Sequence, residues 1–326
     1  MNDSLVLLGR DVRLELLPWG ATMRRFEVAR GDRWRNIVLG HPSLDDYQTN
    51  VGYLGSSVGR FANRLGRATF TLNDVRYDVD VNEPPNQVHG GRGGFSHRLW
   101  TVADSGVDWA ELTVTSEDGD QGFPGTVQVR ARFEVFDCGA SVTYTATTDA
   151  PTVINLTTHP YFNLDGEGEG TIEQHRLQVN ASAFTPTHAD GIPTGEVRSV
   201  AGSAMDLRAG AVLGTALDGV VAEGIDRNGG LDHNFVVDGE GLREHCRLTG
   251  SSDLTLRVWS DQPALMVYSG EHVGGVVGTS GHSYAARAGV ALEAQGFPDA
   301  PNHPNFPSTV LLPDQEFSTT TRWLVC

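Results

Sequence analysis

The chain has 326 residues, 39% apolar and 20% charged, with a formal net charge of −17 from 41 Asp and Glu against 24 basic residues. Such a composition belongs to a globular chain long enough to bury a sizeable core, and its negative surface argues against nucleic-acid and anionic-membrane partners. Every basic residue is Arg; with no Lys, Schiff-base chemistry and the phosphate-cradling lysine of a P-loop are excluded.

Taken in chain order, the N-terminal stretch Met1–Leu17 lacks a basic segment followed by a sustained apolar run, so no signal peptide is expected. No apolar run reaches the roughly 18 residues that span a membrane. Gly55–Gly59 satisfies G-x-S-x-G, but that motif needs a strand-turn-helix setting, and here it reads as a turn between strands. Gly59–Arg64 follows, with two Arg and an Asn that could grip hydroxyls or could simply be surface residues. Ala68–Leu72 has the period-2 alternation of a strand and ends at Asn73-Asp74, a hairpin-turn pair. Pro84–Gly91 holds His89 on a loop stiffened by two prolines and opened by two glycines.

Val127–Val135 and Ser141–Thr147 read as strands joined by a turn at Asp137-Cys138-Gly139. Asn155–Leu164 crowds His159, two Asn and two Thr into an otherwise apolar, strand-like run, where burial demands hydrogen bonds. A structural polar network would account for this as well as a functional site would. Asp165–Gly170 and Asp226–Gly230 read as loop excursions, and Ala209–Val221 as one short helix. Asp232 lies in Gly230–Phe235, where a turn-capping role competes with a functional one. Leu254–Trp259 is a further strand, preceded by a turn through Asp253. Glu293 follows the apolar run Gly289–Leu292, at a position where a carboxylate is costly. The cysteines Cys138, Cys246 and Cys326 form no C-x-x-C pair, which fits a reducing, cytoplasmic setting. The His residues show no metal-ligand spacing, so neither metal nor cofactor is expected. Many short strands without a βαβ rhythm give an all-β fold, a large antiparallel β-sandwich, with residues 1–326 as one domain.

In order, Gly59–Arg64, Asn86–Gly91 with Phe95 and Trp100, Ser116–Gly125, Asn155–Leu164, Leu231–Phe235 and Leu292–Asp299 with Phe306-Pro307 resemble the aldose 1-epimerase (galactose mutarotase) family along nearly the whole chain. The resemblance implies a β-supersandwich with an open sugar cleft. It implies that His159 is the acid for the ring oxygen, that Glu293 is the base for the C1 hydroxyl, and that Asn63, Arg64, His89 and Asp232 bind substrate. The expected partner is a neutral monosaccharide, and the expected state a monomer or homodimer. Pro160 stands where many relatives carry Ser. Met266 stands where some carry Gln, which bears on sugar preference. With ordinary pKa values of about 6.5 and 4.3, His159 would donate near neutrality and Glu293 would be ionised. The alternatives are a hexose-6-phosphate mutarotase, a glycosidase using Glu293 and Asp232, and a non-catalytic sugar-binding module.

Overall fold

A computed structural model describes residues 4–49, 52–252 and 254–325. Asp253 and Cys326 lie outside the described residues. The chain is built almost entirely from antiparallel strands, in the sheets of a β-sandwich. The first sheet is a meander of Leu5–Leu8, Val12–Leu17, Thr22–Arg30 and Arg33–Asn36. A nine-stranded sheet contains Trp109–Ser116, Val127–Phe136, Gly139–Thr148, Phe317–Val325, Thr255–Ser260 and Arg243–Thr249 as successive neighbours. The last strand of the chain, Phe317–Val325, pairs on one side with Gly139–Thr148 and on the other with Thr255–Ser260. It thus joins residues far apart in sequence.

The strands expected from period-2 alternation form with slightly shifted ends: Thr69–Leu72, Val127–Phe136, Gly139–Thr148 and Thr255–Ser260. In Val127–Phe136 each alternate residue from Val127 to Val135 is buried. Asn73 and Asp74 both adopt left-handed φ, at 50° and 61°. This is the turn whose twist matches a two-residue hairpin, and it fixes Leu72 opposite Val75. The short helix spans Leu213–Ala222, starting four residues later than the pattern suggests, because Ala211–Val212 pair as a strand with Arg176–Leu177. Its buried residues Leu213, Ala216, Leu217 and Val220 fall at i, i+3, i+4 and i+7. No helix among the described residues is long and apolar enough to cross a membrane.

The six-stranded sheet positions the site. Its order is Tyr161–Phe162, Val290–Gln295, Ala264–Tyr268, Asp232–Val237, Ala181–Thr185 and Arg198–Ser199. Val290–Gln295 is buried at all six positions, so both of its faces are covered. Val290 and Leu292 join the main hydrophobic core. By the alternation of a strand, Ala291, Glu293 and Gln295 face the other way.

Candidate functional site

The register of this sheet lays out one wall of a cavity. Tyr161 pairs with Ala291, Ala291 with Tyr268, and Tyr268 with Asp232. One step along, Glu293 pairs with Met266 and Met266 with Asn234. These residues share a sheet face because cross-strand partners and i, i+2 neighbours point the same way. Small Ala291 leaves room for the Tyr161 and Tyr268 rings to meet edge to face, 5.9 Å apart. Extending the Tyr161–Ala291 register by two residues carries His159 opposite Glu293. Regular pairing stops at Phe162–Tyr161 because the next residue, Pro160, has no N–H to give. His159 instead exchanges backbone bonds with the Gly55–Gly59 segment: Gly55 N donates to its carbonyl and its own N donates to Ser56 O, both at 2.9 Å.

The opposite wall comes from Asn63–Leu65 and Gln87–Gly90. Arg64 pairs with Val88, and His89 N donates to Asn63 O at 2.9 Å. Asn63 N donates to His89 Nδ1 at 3.2 Å, which leaves the neutral imidazole's proton on Nε2. Asn63 and His89 both adopt left-handed φ, at 61° and 52°. Gly90 follows because a Cβ there would strike the Gly59 carbonyl. The G-x-S-x-G match is therefore a turn and packing surface, as its β context implies.

The cavity so formed is about 420 Å³, within the range of small-molecule sites. Its lining brings together all six sequence-derived residues: Asn63, Arg64, His89, His159, Asp232 and Glu293. His159 Nε2 lies 3.3 Å from Glu293 Oε1, and both side chains are at most 5% exposed. The His159 ring stacks on Tyr161 at 4.8 Å and meets His89 edge-on at 5.4 Å. Tyr53 packs against His89, His97 and His159. Arg64 donates to Glu83 through Nε and Nη2, at 2.5 and 2.9 Å, and its Nη1 lies 3.8 Å from Asp232. Asp232 Oδ2 lies 3.2 Å from Arg227 Nη1.

Burial changes the protonation expected from ordinary values. It pushes His159 down to about 4, against a smaller upward pull from its own backbone and from Asp232. It pushes Glu293 well above the usual carboxylate range, helped by Asp232 and opposed by Arg64. Desolvation disfavours the charged form of each partner. Both shifts run toward the uncharged forms, neutral imidazole for His159 and carboxylic acid for Glu293. His89 is also pushed well below the ordinary histidine value, first by burial and further by the Arg64 guanidinium.

Several residues that line the cavity carry no sequence signal of their own. Tyr53, Glu83, Arg227 and Tyr268 belong here. Arg227 comes from the Asp226–Gly230 segment, which reads in sequence as a plain excursion. The two arginines of Gly59–Arg64 divide their roles, and neither is a surface residue. Arg60 points away into the protein. Its Nη1 donates to Pro124 O and Gly125 O, both at 2.8 Å, and its Nη2 donates to Ser116 O and Oγ at 2.9 and 2.7 Å. Replacing it strands these buried acceptors. Arg60→Met is expected to destabilise the fold by about 3–5 kcal/mol in urea unfolding while leaving KM of the folded fraction little changed. Asn155, Thr157 and Asn163 are likewise structural. Thr157 Oγ1 donates to Ala294 O, and the amides of Asn155 and Asn163 donate to Gly296 O and Ala288 O. The polar run Asn155–Leu164 is thus a buried network with His159 at the cavity in its midst. A larger groove of about 630 Å³ includes Asp299 and His303, but Asp299 is committed to Gly66 N, Asn302 and His303. Among the described residues no cluster of three or more His, Cys, Asp or Glu is placed to hold a metal.

Comparison with known proteins places this geometry. The family model described as aldose 1-epimerase matches residues 4–323. The chain is 37% identical to the galactose mutarotase of Bos taurus, over 98% of this chain and 92% of that one. It is 34% identical to the aldose 1-epimerase of Escherichia coli K12, over 94% and 90%. A solved aldose epimerase homologue from C. elegans superposes with a TM-score of 0.93 at 25% identity, covering 100% of this chain and 99% of that one. A galactose 1-epimerase from Lactobacillus acidophilus superposes at 0.86 with 27% identity, covering 100% and 94%. The antiparallel supersandwich, the cavity with its imidazole–carboxyl contact and these matches lead to one assignment: the chain belongs to the aldose 1-epimerase family.

Proposed function

We propose that the chain interconverts the α and β anomers of a neutral aldohexose of the glucose or galactose type, with His159 and Glu293 as the proton-transfer pair and Asn63, Arg64, His89 and Asp232 as hydroxyl contacts. The buried His159–Glu293 contact, inside a cavity lined by hydroxyl-binding groups, carries this reading. Opening the hemiacetal breaks C1–O5 and forms C1=O1. One proton must reach O5 and one must leave O1. A pair that holds a single proton meets both needs without exchange with solvent. When bound, the sugar's hydroxyls solvate the charged form, and the proton passes from Glu293 to His159, which gives it to O5 while Glu293 takes the O1 proton. The aldehyde turns about C1–C2 and closes on its other face with the roles reversed. Each group supplies roughly 10²–10⁴-fold by general acid–base catalysis.

Charge balance favours a neutral sugar over a 6-phosphate. Arg64 and Arg227 face Glu83 and Asp232 in the same cavity, so a phosphate dianion would meet two carboxylates along with two guanidiniums. Glycoside hydrolysis by Glu293 and Asp232 is disfavoured because Asp232 is already an ion-pair partner of both arginines. The reading is tested by the pH dependence of anomer relaxation. Below about 4 the pair takes a second proton and lacks a base. Above the raised value of Glu293 it loses its proton and lacks an acid. On lowering the pH, the rate should fall on an acid limb near pH 4. A limb centred at the free-imidazole value of about 6.5 would contradict the shared-proton pair.

A further inference from the structure

Arg227 sits in a tight turn in which Arg227 N donates to Gly230 O at 2.9 Å and Gly230 N donates to Arg227 O at 3.1 Å. Its side chain is 13% exposed and lines the cavity. It lies across Gly191, which has φ of 80°, and a Cβ at that position would overlap the guanidinium. The two arginines of the cavity are used differently. Arg64 spends Nε and Nη2 on Glu83. Arg227 buries Nε and pairs its buried Nη1 with Asp232, while its Nη2 is neither buried nor hydrogen-bonded among the described residues. Arg227 Nη2 is therefore a donor left open to a ligand in the cavity.

Its place along the cavity follows from the sheet order. Ala264–Tyr268 separates Asp232–Val237 from the strand of Glu293, and Arg227 packs from Asp232 onto Gly191, in the segment that follows the next strand outward, Ala181–Thr185. Arg227 thus lies on the side of Asp232 away from the acid–base pair. A pyranose with C1 at His159 and Glu293 turns its opposite corner, C4, to that end. We propose that Arg227 is a specificity-determining residue that donates to the C4 hydroxyl of the aldohexose, with Asp232 accepting from the same edge of the ring. This rests on the anomer-interconversion reading. Glucose and galactose differ only in the direction of that hydroxyl, so Arg227 sets the balance between them.

The test pairs a change in the protein with a change in the sugar. Arg227→Met keeps the aliphatic stem and removes the donors. It should raise KM for galactose and glucose by unequal factors of up to about 10–100-fold, bringing their kcat/KM values closer together, with kcat within about threefold. The sugar 4-deoxy-D-xylo-hexose lacks the C4 hydroxyl and is the common reference for both epimers. Wild type should lose about 10–100-fold in kcat/KM on it, whereas Arg227→Met should lose less than about threefold more, because the contact is already gone. Gly191→Ala keeps the arginine but fills its place, and should reproduce the rise in KM. Independent, multiplying losses from the variant and the deoxy sugar would overturn the assignment of Arg227 while leaving the reaction intact. A wild-type protein that accelerates no aldose would instead overturn the underlying reading, and this inference with it.

Discussion

Glu293→Gln is expected to lower kcat for anomer interconversion by about 10²–10⁴-fold without loss of fold. The substitution keeps the shape and hydrogen-bonding size of the side chain in a strand buried at every position. It removes the one group in the pair that can act as a carboxylate base. Substrate affinity should move little, because Arg64, His89 and Asp232 remain in the cavity. The variant also has a stability signature. Burial raises Glu293 above its unfolded value, so its favourable contribution is full below the unfolded pKa and is lost as pH rises through the folded one. Gln has no such loss. The melting temperature of the variant should therefore fall less than that of wild type between mildly acidic and mildly alkaline pH. A wild-type-like pH slope of stability would show that Glu293 is solvated in a way its burial does not imply.

His159→Asn is expected to cost a similar factor, about 10²–10⁴-fold in kcat, since it removes the proposed donor to the ring oxygen. Asn can hydrogen-bond but cannot accept and return a proton. The acid limb near pH 4, which belongs to His159, should vanish with it. Because the two groups act as one unit on one proton, the double variant His159→Asn/Glu293→Gln should be about as slow as the slower single variant. Multiplying losses would mean that the two act in separate steps with separate proton sources.

The fold class was legible because alternation and turn residues carry it. Asn73-Asp74 specifies a hairpin through its tolerance of left-handed φ, and Val127–Phe136 displays its buried face every second residue. The six candidate residues stood out as motifs, and one cavity gathers them all. What pairs them was not. His159 meets Glu293 because Tyr161 pairs with Ala291, and a pairing between positions 130 residues apart leaves no local trace. Arg60 and Arg64 look alike in sequence. Only the carbonyls of residues 116–125, supplied by another part of the chain, show that one is a brace and the other a cavity residue. Arg227 lay in a loop without periodicity, and its significance appears only where the Gly191 backbone gives it passage. The protonation of the acid–base pair was also hidden, since reference pKa values apply to solvated groups and neither partner is solvated.

The central claim is that one proton, shared by His159 and Glu293, drives ring opening. It is tested most directly by following the optical rotation of freshly dissolved α-D-galactose and α-D-glucose with wild type and with Glu293→Gln at equal concentration. The account predicts rapid relaxation to the spontaneous end point with wild type, and a rate barely above the uncatalysed one with the variant. Equal acceleration by both proteins, or none by wild type on either sugar, would contradict it.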